Sequence, residues 1–245
     1  MARPDVGCSR SSPRLVTPPG PPIRRPWSCW ALSRPTASPG GRWVAFISNA
    51  PFTPAEREKG YSDFCLVRDD GAALYNLTQQ APARSSVGMS FDNFGWSPDG
   101  KTIFIMAWAW ERGRTGQRQV FYLADAEARS LTSLMETEPL GTPKRTVYTD
   151  PPWDYATHRE WSPDSTRVLL KGRRYAVDAT GAATESSSDQ RQMIGYYDVV
   201  ARAYHEVLEL RPSSDRLQLS GDLAWTPDGK AILCSLAKMV SADSG

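Results

Sequence analysis

The sequence predicts an all-β fold built from tandem copies of one small antiparallel sheet. Three observations carry this. A corner of small or hydroxyl residue, proline and turn residues recurs four times, as Ala37-Ser38-Pro39-Gly40-Gly41, Trp96-Ser97-Pro98-Asp99-Gly100, Trp161-Ser162-Pro163-Asp164-Ser165 and Trp225-Thr226-Pro227-Asp228-Gly229. The hydroxyl residues at 38, 97, 162 and 226 are 59, 65 and 64 residues apart, a near-constant period of the kind that marks an array of like units. A short apolar run, rich in β-branched or aromatic residues, follows every corner.

Each element has a local cause. Proline fixes φ at the first central position of a type I turn, Asp hydrogen-bonds backbone two residues on, and Gly accepts the left-handed exit. The corner is therefore a hairpin, and the strand leaving it is Trp43–Ser48, Thr102–Met106, Arg167–Leu170 or Ala231–Ser235. A second strand running into an acidic residue follows in three units, at Phe64–Val67, Val120–Leu123 and Ile194–Tyr197. A third is expected at Leu74–Thr78, Arg129–Thr132 and Tyr204–Leu208. Another precedes the next corner at Met89–Phe94 and Leu217–Leu219, and is poorly defined before Trp161. Three or four antiparallel strands per unit, in tandem, make β-propeller blades. The corners bound about three complete blades plus one partial blade, so the expected ring is incomplete.

Trp-Ser-Pro-Asp-Gly with its strand, then an aromatic-rich strand ending in Asp, then Leu-Thr, resembles the TolB-like, WD-repeat-like β-propeller repeat. The resemblance covers about residues 31–236, is strongest at Trp96–Ile105 and Trp225–Cys234, and weakens at Ser38, which lacks the Asp, and after Asp164, which lacks the Gly. It implies either an extracytoplasmic binding platform or the propeller that covers the active site of a prolyl-oligopeptidase-like peptidase. Fold analogy leaves that choice open. Propellers of the TolB-like family resemble six-bladed rings, so an array of three to four blades is expected to be a fragment, a truncated reading frame or one partner of a composite ring. It would expose an unpaired edge and an apolar blade face, and self-association through that edge is expected.

Composition sets the outer limits. The chain has 245 residues, 40% hydrophobic and 10% aromatic, enough to bury a core. Its 29 basic and 27 acidic residues nearly cancel, so no whole-chain charge attracts nucleic acid or membrane. Residues 1–30 are rich in Pro, Arg and Ser, with Pro18-Pro19-Gly20-Pro21-Pro22 and no apolar periodicity, and are expected to be disordered. The propeller repeats occupy 31–245. No signal-type apolar run precedes Trp43 and no membrane-spanning run exists, so membrane insertion is not expected. The compartment stays open between cytoplasmic and, by the family resemblance, periplasmic or extracytoplasmic. Cys8, Cys29, Cys65 and Cys234 are widely spaced, without the pairing of a zinc or redox motif, and Cys65 and Cys234 are expected to pack as small hydrophobes. Asn76-Leu77-Thr78 matches a glycosylation acceptor inside an expected strand, which favours chance.

Catalytic chemistry is scarce. There are two histidines, His158 and His205, and Gly95-Trp96-Ser97-Pro98-Asp99 fails the serine-hydrolase elbow at its last position. Ser38, Ser162 and Thr226 share the repeat position of Ser97, which makes that serine a turn residue. Asp99, Asp164 and Asp228 are turn-capping residues on different blades by the same reasoning, not readily able to converge on one site. No phosphate loop, zincin helix or EF-hand loop occurs, so no cofactor, metal or catalytic residue is expected. Two stretches could carry recognition. In Ile103–Trp110 both faces are apolar, which suits burial between blades, and only Trp110, beside Glu111-Arg112-Gly113-Arg114, is expected at a surface loop. The segment Thr149–Arg159 mixes aromatics, charge and one histidine, and Trp153, Tyr155, His158 and Arg159 are the candidate binding residues. The same Trp153 and Tyr155 could instead fold the loop back on its blade. The functional expectation is a non-catalytic module binding another protein, with a peptidase propeller lacking its hydrolase domain as the alternative. A carbohydrate-binding propeller is the weaker third reading, resting on nine tryptophans.

Overall fold

A computed structural model describes residues 32–48, 62–80, 87–111, 117–136, 144–149, 161–176, 180, 191–211 and 217–238. They form an all-β partial propeller: three four-stranded antiparallel sheets and one two-stranded hairpin. Sheet 1 runs β1 (Leu32–Ala37), β2 (Trp43–Ser48), β3 (Asp63–Arg68), β4 (Leu74–Asn76). Sheet 2 runs β5 (Val87–Trp96), β6 (Thr102–Glu111), β7 (Gln117–Asp125), β8 (Ser130–Glu136). Sheet 3 runs β9 (Lys144–Thr149), β10 (Arg167–Ala176), β11 (Arg191–Asp198), β12 (Ala203–Leu210), and β13 (Leu217–Trp225) pairs with β14 (Ile232–Lys238). Each recurrent corner joins the first strand of a sheet to the second. Helix among the described residues is confined to a 3-10 turn at Leu77–Gln80.

The sheets stack in chain order because each central strand is apolar on both faces. Ile103, Ile105, Ala107 and Ala109 of β6 share a core with Ala45, Ile47, Phe64 and Leu66 of sheet 1. The alternate residues Phe104 and Met106 pack with Trp161, Val168, Leu170 and Met193 of sheet 3. In β10 the alternation repeats, since Leu169 turns the other way, to a third core with Ile194, Leu219 and Leu223. Successive side chains of a strand point to opposite faces, so one apolar run seals two interfaces. Packing between blades thus accounts for the doubly apolar Ile103–Ala109 run.

Tryptophan before the corner adds a polar staple between neighbours. Trp96 Nε1 donates to Thr36 O of sheet 1 (3.1 Å), and Trp161 Nε1 donates to Gly95 O of sheet 2 (3.0 Å). Both indoles are essentially fully buried, where an N–H requires an acceptor.

Three local expectations are corrected. The third strand of sheet 1 stops at Asn76 instead of reaching Thr78, because Asn76 Oδ1 accepts the Thr78 N–H (3.0 Å) and hydroxyl (2.6 Å) and turns the chain. Asn76 Nδ2 is buried, so the glycosylation match has no accessible amide. Cys65 is buried as expected, whereas Cys234 is exposed, on a strand that among the described residues pairs with β13 alone. The strand that was poorly defined before Trp161 is β9 at Lys144–Thr149, whose Thr149 pairs with Lys171, and Trp161 itself forms an isolated bridge to Val168.

Candidate binding surface

Corner geometry repeats almost atom for atom. The hydroxyl of Ser38, Ser97, Ser162 or Thr226 accepts the backbone N–H five residues on, at 3.1, 3.0, 2.9 and 3.0 Å. In the last three copies it also donates to Oδ1 of the Asp two residues on. The fourth turn residue accepts a positive φ: 72° at Gly41, 71° at Gly100, 61° at Ser165 and 67° at Gly229. Ser97 and Ser162 are wholly buried. A hydroxyl that gives its proton to Asp and accepts a backbone N–H locks the turn.

The carboxylates feel the same bonds. The Ser162 hydroxyl holds the Asp164 carboxyl down at about 2, helped by Thr166 and Arg167 against a modest burial penalty. The Thr226 hydroxyl likewise lowers Asp228. Neighbouring corners touch. Asp99 N donates to Ser165 Oγ (3.2 Å), and a Cβ added at Gly229 would lie 3.5 Å from Pro163 Cδ. Their aspartates nonetheless serve their own turns, and no group of three metal-binding side chains occurs among the described residues.

The candidates Trp153, Tyr155, His158 and Arg159 lie outside the described residues. Trp110 lies at the end of β6, in register with Gly88 and Gln117. No structure-based grouping of these five residues follows.

The structure instead assembles a cluster that sequence patterning missed, at the boundary between sheet 3 and the hairpin. Arg167 donates to Gly229 O (2.9 Å), approaches Asp164 Oδ2 (3.4 Å), and lies 4.6 Å from the Trp225 ring centroid and 5.8 Å from that of Tyr196. Tyr196 stacks on His205 (4.9 Å, 23°) and meets Trp225 edge-on (5.7 Å, 61°). His205 is exposed, and Tyr196, Trp225 and Arg167 are half-buried. Two aromatics, an imidazole and a guanidinium thus face solvent together on rigid strands. Only the position of Arg167, opening the strand after a corner, hinted at this, since the four residues come from four separate strands, β10, β11, β12 and β13.

The sheets and corners define a β-propeller repeat protein. No family model matches the chain, and no curated protein does. Among solved structures it is similar to an oligogalacturonate lyase in complex with manganese, at 20% identity over 79% of this chain and 41% of that one, TM-score 0.40. It is also similar to prolyl oligopeptidase B from Galerina marginata bound to a 25mer macrocyclization substrate, at 15% identity over 85% of this chain and 27% of that one, TM-score 0.49. A third is the β-propeller domain of the Trilobed protease from Pyrococcus furiosus, at 11% identity over 87% and 85% of the two chains, TM-score 0.34. The chain spans less than half of the first two proteins. Among the described residues, no helix is long and apolar enough to cross a membrane.

Proposed function

We propose that this chain is a non-catalytic, TolB-like propeller module that binds another protein. The observation that supports this reading is the Arg167–Tyr196–His205–Trp225 cluster. Arg, Tyr and Trp are the side chains that anchor protein interfaces, and here they sit on strands that need no ordering on binding. The recurrent serines and aspartates are consumed in turn bonds, which leaves the chemistry of the described blades to surfaces. Trp153, Tyr155, His158, Arg159 and Trp110 remain proposed contributors.

Comparison of partner capture by wild type, the His205→Ala variant and the Trp153→Ala/Arg159→Ala variant, with thermal unfolding in parallel, tests the reading. Capture should fall for at least one variant at unchanged stability. Unchanged capture by both would remove the site. The second reading, a propeller of a prolyl-oligopeptidase-like peptidase, is favoured by the same Trp-Ser-Pro-Asp-Gly corners, which that family's propeller shares by resemblance. A Gly-x-Ser-x-Gly elbow with later Asp and His in downstream coding sequence would select it, and further Ser-Pro-Asp-Gly units would select the platform.

A further inference from the structure

We draw no further inference here: the strongest candidate, the Arg174–Arg191–Arg211 side-chain cluster at the end of sheet 3, gathers about Glu206 and Glu209 as an ion-pair network, and nothing in the structure shows a ligand that it holds.

Discussion

Replacing Trp161 by Phe tests the claim that the pre-corner tryptophan staples one blade to the next. Trp161 is 2% exposed, packs among Phe104, Met106, Val168 and Met193, and donates its indole N–H to Gly95 O at 3.0 Å. Phenylalanine keeps most of the apolar volume and removes the donor, which leaves the buried Gly95 carbonyl without that bond. Losing one partner of a buried hydrogen bond costs about 1–3 kcal/mol, and the smaller ring adds about 1 kcal/mol for the void. The expected total is about 2–4 kcal/mol. Trp225 occupies the equivalent position in the fourth copy but is half-buried, with the Arg167 guanidinium 4.6 Å from its ring centroid. Because less apolar surface is withdrawn from water there, Trp225→Phe should cost less than Trp161→Phe. Urea unfolding followed by circular dichroism, with the slope m unchanged between variants, measures both. Equal costs at 161 and 225, or a Trp161→Phe cost under about 0.5 kcal/mol, would refute the reasoning.

Two further outcomes follow from single sites. Gly195 lies at a bulge in the β11–β12 pairing, where an added Cβ would overlap Tyr204 Oη and lie 2.5 Å from His205 O. Gly195→Ala should therefore destabilise by about 1–3 kcal/mol, visible as a lower urea midpoint, and a neutral effect would show that the Tyr204 ring is not held there. The Asp164 carboxyl titrates near 2 in the fold against an ordinary 3.8. Its contribution to stability is complete above about 3.8 and is lost as pH falls toward 2. Asp164→Asn should flatten the stability–pH curve in that window alone, with the effect reduced by solvent screening of this half-exposed group, and an unchanged slope would remove the Ser162–Asp164 lock.

What could be read from the sequence was what neighbouring residues decide. Proline, Asp and Gly within one tetrapeptide dictate the corner, and the β-branched run after it dictates the strand, so the four hairpins and the order of sheets were legible. β9 was not, because Lys144–Thr149 pairs with Lys171–Ala176, two polar segments whose strand character comes from each other rather than from an apolar pattern. The exposure of Cys234 depends on what lies beside β14, and the Arg167 cluster depends on four strands converging. Both are tertiary facts. The turn bonds of the corner hydroxyls have a physical reason visible beforehand: a hydroxyl repeated at one position of every unit is needed by the unit.

The copies that depart from the repeat show where neighbouring units had to be fitted together. Ser165 adopts φ 61°, a left-handed conformation that costs a non-glycine residue about 1 kcal/mol, yet its hydroxyl receives the Asp99 N–H from the preceding corner. Glycine there would relieve the backbone and delete the bond between corners. Gly40 stands where the other copies have Asp, and it lies at a similar seam: a Cβ at Gly100 would meet Gly40 N at 3.6 Å and Pro39 Cδ at 3.4 Å. Arg167, where the second corner has Thr102, spans to Gly229 O of the next corner. The shared residues close each turn and the divergent ones join each turn to its neighbour. The departure at 165 is thus explained by a contact between blades, nothing in the structure explains the one at 40, where an added Cβ meets nothing within 4 Å, and the array is held by specific seams as well as by its apolar cores.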